Sequence, residues 1–273
     1  MIKFCMALSP TKANFAPLLF AGDMNKGIEI ASQIGYDGVE LNLLNSTQLD
    51  QDEILNKVSR FGLHVPSIGT GQSYFQENLS LADTSPQTQI AVRERLREHI
   101  KFASKLGSAV VLGSIRGKLD TSSEKTKQAG YCIAVDAAQE LADFAATLGV
   151  NLTIEPINRF ETNFLNTISE TLEFIYAVGR KNVGLLADTF HMNIEEKDMT
   201  DCLRRAGNLL FHVHYADSNR YAPGMGHLDF QVLTAALNEI GYDGYVCAEI
   251  IPVPDDLVAA KTWIETIRPI IRP

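Results

Sequence analysis

Four side chains able to bind metal close four successive apolar runs in the second half of the chain. Glu155 ends the run 151–155, Asp188 ends 183–188, His214 ends 209–214 and Glu249 ends 245–249. The intervals between them (155 to 188, 188 to 214, 214 to 249) are 33, 26 and 35 residues, each about the length of one strand–helix unit. Parallel strands ending side by side would bring three carboxylates and one imidazole into a common space. Carboxylates crowded together repel and raise one another's pKa unless a cation lies between them. Three oxygens and one nitrogen suit a borderline divalent ion such as Mn²⁺, with Mg²⁺, Co²⁺ or Zn²⁺ as other candidates.

The elements that would position these residues alternate from end to end. Strand-like runs fall at 3–8, 38–43, 64–69, 108–113, 151–156, 183–188, 209–215 and 245–250. Helical patterns follow near 24–35, 51–61, 87–106, 125–148, 168–180, 200–206, 230–240 and 255–270. Eight strands, each followed by a helix, predict an α/β chain folded as a single (β/α)₈ TIM barrel over residues 1–273. Several helical patterns stop at a glycine, and the junction Ile34-Gly35-Tyr36-Asp37-Gly38 recurs as Ile240-Gly241-Tyr242-Asp243-Gly244. These copies precede the second and eighth strands, which would flank the first in a closed barrel.

The longest loops follow strands, at 9–23, 70–86, 114–124 and 216–229. In such a barrel these loops build the active-site face. Phe15, Phe20, Tyr74 and Phe75 are candidates to wall a pocket there.

The chain has 273 residues, 45% of them hydrophobic, and a net charge of −9. That charge argues against nucleic acid or an anionic membrane as partner, since both attract basic surfaces. No stretch approaches the roughly 20 apolar residues of a membrane span. The N-terminus reads as a first strand, not a signal peptide. Four scattered cysteines without a CxxC pair, two of them inside predicted strands, suggest free thiols in a reducing cytoplasm.

Strand alternation places His212 and His214 on one face, with His214 nearer the open end. His212 is then expected to be a core histidine hydrogen-bonded to a neighbour. Glu40 and Asn42 share a face of the second strand and are expected to support the site. Asp188 is followed three residues later by His191, taken as a loop residue beside the metal and within reach of substrate. Asn158, Arg159 and Glu161 follow Glu155, and Asp217, Asn219 and Arg220 follow His214. Loops this polar suit a ligand with many hydroxyls.

Residues 154–161 (Ile-Glu-Pro-Ile-Asn-Arg-Phe-Glu), 188–196 (Asp-Thr-Phe-His-Met-Asn-Ile-Glu-Glu), His212-Val213-His214, Asn219-Arg220 and Pro223-Gly224-Met225-Gly226 carry a resemblance. Together they resemble the sugar isomerase/epimerase superfamily of xylose-isomerase-like barrels, and within it the D-tagatose and D-psicose 3-epimerase group. The likeness covers nearly the whole chain in layout, with 154–250 holding its specific motifs. It implies a divalent metal, usually Mn²⁺, on Glu155, Asp188, His214 and Glu249. It further implies substrate contacts from Glu161, His191 and Arg220, and Glu155 and Glu249 as the acid/base pair. Dimers or tetramers are common in this group, so a homo-oligomer is expected.

The chemistry agrees with that assignment. Epimerisation beside a ketone removes a weakly acidic proton and returns it on the opposite face. Glu155 and Glu249, on strands five and eight taken to face one another across the mouth, could each serve one face. The segments 69–74 and 113–117 look closer to epimerases of keto-acid sugars, which would make Arg116 a bidentate clamp for a substrate carboxylate.

Other classes are less well served. An endonuclease IV-like enzyme needs a histidine-rich zinc cluster and a basic surface, against six histidines and net charge −9. A non-catalytic sugar-binding barrel would be expected to lack a ligand or a glutamate, and all four positions are filled. A keto-inositol dehydratase or a hydroxypyruvate isomerase-like enzyme could use the same metal.

Overall fold

The computed structural model describes residues 1–12 and 16–272. Its strands are β1 (Lys3–Leu8), β2 (Gly38–Asn42), β3 (Ser67–Gly69), β4 (Ala109–Leu112), β5 (Leu152–Ile154), β6 (Val183–Asp188), β7 (Leu210–His214) and β8 (Tyr245–Ala248). They pair in parallel in chain order, and β8 pairs back onto β1 to close the barrel. The helices are α1 (Met24–Ile34), α2 (Gln51–Arg60), α3 (Gly71–Glu77), α4 (Pro86–Leu106), α5 (Glu124–Thr147), α6 (Ile168–Val178), α7 (Thr189–Glu195), α8 (Met199–Ala206), α9 (Phe230–Glu239) and α10 (Asp256–Ile271). The strands are covered on both faces, which is why their sequences run almost continuously apolar.

The repeated junction does the same work twice. Gly35 and Gly241 both take positive φ, 89° and 69°, and end α1 and α9. A side chain there would be strained, so glycine is what lets the chain reverse into the next strand. Each junction leads into a neighbour of β1, and each supplies a tyrosine. Tyr36 stacks on Trp263 of α10 at 5.6 Å, and the Tyr242 hydroxyl donates to the Tyr245 carbonyl at 2.7 Å.

Two differences from the sequence reading matter for the site. The segments taken as loops at 70–86 and after Asp188 each hold a short helix, α3 and α7. His191 therefore sits on a helix and not in a loop. Some strands are also shorter than the apolar runs. β3 starts only after Pro66, which lacks the N–H a ladder needs, and β5 stops at Ile154, two residues short of Pro156. Cys5 and Cys247 are buried free thiols at paired positions of β1 and β8. Among the described residues, no helix is long and apolar enough to cross a membrane.

Trp263 fastens the closure. It is fully buried, its indole N–H donates to the Tyr215 carbonyl beyond β7 at 2.7 Å, and its ring meets Phe4 of β1 edge-on at 6.1 Å. Trp263→Ala is expected to cost about 3–5 kcal/mol of stability, from the cavity and the abandoned carbonyl. Urea unfolding measures this, and a loss below about 1 kcal/mol would mean that the closure does not depend on this ring.

Candidate functional site

Glu155 and Glu249 stand one residue beyond β5 and β8, while Asp188 and His214 are the last residues of β6 and β7. Four adjacent strand ends thus deliver four donors to one point at the C-terminal mouth. One ligand atom from each lies within 4.8 Å of all the others. The His214 Nδ1 is 3.4 Å from Glu249 Oε2, 3.6 Å from Asp188 Oδ2 and 3.7 Å from Glu155 Oε1. Glu155 and Glu249 flank Asp188 and His214, separated by β6 and β7; they do not stand diametrically across the mouth.

Whether these residues suit a cation can be judged from their bonding. Asp188 is fully buried, and its Oδ1 caps α7 by accepting from the backbone N–H of Phe190 at 2.7 Å and of His191 at 3.4 Å. Its other oxygen, Oδ2, and the His214 Nδ1 are buried with no hydrogen-bond partner among the described residues. Two orphaned acceptors of this kind are costly unless something positive sits between them. Burial, and then the Glu249 carboxylate beside it, pushes Glu155 up to about 8. Without a cation the cluster must therefore carry a proton near neutrality. Burial works against the ionised form of Asp188 too, yet His191, His214 and Arg220 hold its carboxyl well below the usual range. The donor set fits a divalent ion.

A second ring of polar groups surrounds these donors. The Nδ1 of His191 lies 2.8 Å from the Asn158 amide nitrogen, which can only donate. The Arg220 guanidinium, also a donor only, lies farther off at 3.5 Å from Nε2, so the shorter contact decides and puts the ring hydrogen on Nε2. Burial pushes His191 down to about 4, so it is a neutral donor. Arg220 donates to Glu249 Oε2 at 3.1 Å and to Glu161 Oε1 at 3.4 Å, and lies 4.8 Å from the centre of the Phe190 ring. Its backbone is left-handed, with φ at 63°. A non-glycine residue held there marks a loop whose shape is over-determined by its surroundings. Asp217 does the holding: its carboxylate accepts from the backbone N–H of Ser218, Gly224 and Leu228 at 2.7–3.1 Å.

Glu155, Glu161, His191, His214, Arg220 and Glu249 line one cavity of about 480 Å³, with Asp188 buried at its floor. The opposite wall carries Asn42, Thr70, Gln72, Gln76, Ser114 and Phe75. Gln72 and Gln76 come from α3, one helical turn apart. The sequence reading missed their role because Thr70 makes no side-chain cap and so gives no sign that a helix begins. Of the aromatic candidates, only Phe75 reaches the cavity. Tyr74 and Phe20 pack into the core, and Phe15 lies outside the described residues. Arg159 pairs with Glu195 at 2.7 Å and is absent from the cavity lining.

Beneath the donors, Glu40 is fully buried. Its Oε2 meets the Nε2 of His212 at 3.1 Å and of His214 at 3.2 Å. His212 is thus a core histidine bonded to a neighbour.

Arg116, expected as a clamp for a substrate carboxylate, does not line the cavity in this structure. It is 2% exposed, and its guanidinium donates to the carbonyls of Gly113, Phe164 and Leu165 at 2.8–3.0 Å. It pins the loop after β4 to the loop after β5, while its Nε has no partner among the described residues. It is no solvated surface charge either. A sequence shows that a loop carries a cation, but not that another loop brings three carbonyls onto it.

Gly113 offers a test that leaves every donor residue unsubstituted. A Cβ there would collide with the Glu155 Oε2, the free end of a flexible side chain. Gly113→Ala should therefore displace that carboxylate while keeping the barrel intact, lowering Mn²⁺ affinity about 10-fold or more with little change in Tm. Full metal occupancy after dialysis, with unaltered affinity, would remove Glu155 from the donor set.

Residues 28–267 match the model of the xylose isomerase-like TIM barrel family. The D-psicose 3-epimerase of Agrobacterium fabrum is 34% identical over 226 residues, covering 81% of this chain and 77% of that protein. The structure of the D-allulose 3-epimerase from Methylomonas sp. in complex with D-allulose superposes with a TM-score of 0.84 at 28% identity, covering 98% and 96% of the two chains. A shorter stretch of 114 residues, 42% of this chain and 44% of the other protein, is 39% identical to the 3-dehydro-D-guloside 4-epimerase of Escherichia coli. With eight parallel strands closed in chain order and a family match spanning nearly its whole length, this chain belongs to the xylose isomerase-like TIM barrels.

Proposed function

We propose that this protein is a divalent-metal-dependent epimerase that inverts the carbon next to the ketone of an uncharged ketose. The observation that carries the reading is the convergence of Glu155, Asp188, His214 and Glu249 on one buried point, with two of their acceptors lacking any other partner. Relatives similar over most of the chain are named as ketose 3-epimerases, and this supports the class of reaction.

A divalent cation on these donors, Mn²⁺ by preference for three oxygens and one imidazole, supplies Lewis-acid polarisation of the ketone. The chain's own residues do the rest. Glu155 and Glu249 reach the cavity from separate strand ends. One takes the proton from the carbon beside the carbonyl, and the other returns a proton to the opposite face. The His191 Nε2–H and the Arg220 guanidinium donate to the oxygen that gains charge. Glu161 anchors Arg220 in that position.

The cavity favours an uncharged substrate. Arg220 is the one cation among its described lining residues, and it is already engaged with Glu249 and Glu161, while Glu40, Glu155, Glu161 and Glu249 are all acidic. A keto acid or sugar phosphate would enter against that charge with no clamp to receive it. The amides and hydroxyls of Asn42, Thr70, Gln72, Gln76 and Ser114 suit the hydroxyls of a sugar tail. A second reading, inversion at C4 of a 3-keto sugar, is favoured by the 39% match to the guloside epimerase and uses the same proton chemistry.

Chelator-treated protein should lose activity and regain it with Mn²⁺. A panel of ketoses, 3-keto sugars, keto-uronates and ketose phosphates in D₂O then identifies the exchanged carbon by NMR. Deuterium at C3 of an uncharged ketose is the expected result. Turnover confined to anionic sugars would refute the charge argument, and full activity after chelation would end the metal-dependent reading. Asp188→Asn and His214→Ala proteins should each lose bound metal.

The two-base arrangement has its own signature. At saturating Mn²⁺, Glu155→Gln and Glu249→Gln should each slow interconversion by about 10²–10⁴-fold. Each should still exchange the proton of one epimer with D₂O, and the two variants should favour opposite epimers. Identical exchange patterns would mean that a single base serves both faces.

A further inference from the structure

Below the four donors lies a second polar layer, and Glu40 of β2 is its centre. Both carboxylate oxygens are engaged. Oε1 accepts from the Asn42 amide at 3.0 Å, and Oε2 accepts from the Ser67 hydroxyl at 2.6 Å. Oε2 is also the atom that meets His212 Nε2 and His214 Nε2, at 3.1 and 3.2 Å. An ionised carboxylate has no hydrogen to give, so both imidazoles must donate. A hydrogen of His214 therefore sits on Nε2, and in the neutral ring, the form that binds a metal, the lone pair of Nδ1 faces Glu155, Asp188 and Glu249. The opposite tautomer would aim an N–H at the point where the donors converge and set a lone pair against a buried carboxylate.

We infer that Glu40 is the positioning residue of the metal centre: it fixes the tautomer and orientation of His214, so that Nδ1 is presented as a ligand. This rests on reading the four donors as a metal site. Glu40 touches His214 from the side away from those donors, three barrel strands from β7 in the direction through β1. The middle of β2 and the end of β7 are thus tied across the interior, and His214 cannot turn without breaking the bond. Ser67 and Asn42 also donate to Glu40, but the bond that orients the ring runs directly from His214 of β7 to Glu40 of β2.

Glu40, His212, His214 and Cys247 also lie within 4.8 Å of one another. That group does not read as a second metal site. The Oε2 of Glu40 already receives three donors, and a second ion would require His214 to bridge two metals as an imidazolate. The scheme therefore predicts one ion per chain.

The test uses full-length protein. Glu40→Gln keeps the shape of the side chain but replaces the charged acceptor with a neutral one, and Mn²⁺ affinity measured by competition with a chelating indicator should fall 10–100-fold. Ser67→Ala removes another donor to the same carboxylate without touching His214, and should change affinity less than about 3-fold even if it lowers Tm by as much. In the Zn²⁺-loaded wild type, ¹⁵N-labelled histidine should show His214 with a slowly exchanging, downfield Nε2–H, and Glu40→Gln should shift it upfield.

Unchanged affinity in Glu40→Gln, an equal loss in Ser67→Ala, or two ions per chain would each overturn the assignment. The wild-type spectrum tests it even if Glu40→Gln fails to fold, because an unprotonated His214 Nε2 contradicts the bonding scheme directly. If the wild type binds no metal, the metal-site reading falls and this inference with it. If the wild type binds and Glu40→Gln binds equally well, only the inference falls.

Discussion

Three carboxylates held within a few ångströms of one another at the end of a buried barrel define the constraint around which this molecule is arranged. In water, Glu155, Asp188 and Glu249 would separate; here strand ends fix their backbones and leave no room to turn away. The strain appears in Glu155, which burial and its neighbour push up to about 8. The surrounding groups answer it. Arg220 bonds Glu249 from the solvent side, the N-terminal amides of α7 take one oxygen of Asp188, and His214 presents a nitrogen among all three carboxylates. What remains unpaired is the pair of acceptors that a cation would satisfy.

Much of this was legible in the sequence, because strand ends leave a direct signature. An apolar run closing on Glu155, Asp188, His214 or Glu249 states both the element and the end of it that the side chain occupies. The same period-two rule put His212 and His214 on one face, and nearness to the strand end told them apart. What stayed hidden was anything set by contacts between loops. Arg116 is bonded to Phe164 and Leu165, nearly fifty residues away, and nothing local announces that partnership. The helices α3 and α7 have seven residues each, too short for a clear period, so the far wall of the cavity and the helical seat of His191 could not be read in advance.

The fate of Arg116 illustrates how charge is allotted in this barrel. A buried guanidinium is costly unless its donors are satisfied, and three carbonyls from two loops satisfy two of its nitrogens. It contributes rigidity to the rim that carries Gly113, and so indirectly to the seat of Glu155. The cavity beyond is left with neutral amides and hydroxyls. The clustered carboxylates thus sit at strand ends, while most of the neutral amides and hydroxyls of the opposite wall come from α3 and the loops.

Asp188 joins those two provinces through a single side chain. One oxygen caps α7, the helix that carries His191, and the other points to where the donors converge. Any ion that binds the folded chain but not the unfolded one adds to stability in proportion to the logarithm of its free concentration. Because the same carboxylate begins the helix, that added stability is spent locally: filling the site also stiffens the first turn of α7. Hydrogen exchange at the amides of Phe190 and His191 thus becomes a built-in gauge of occupancy, readable at the backbone without following the reaction at all.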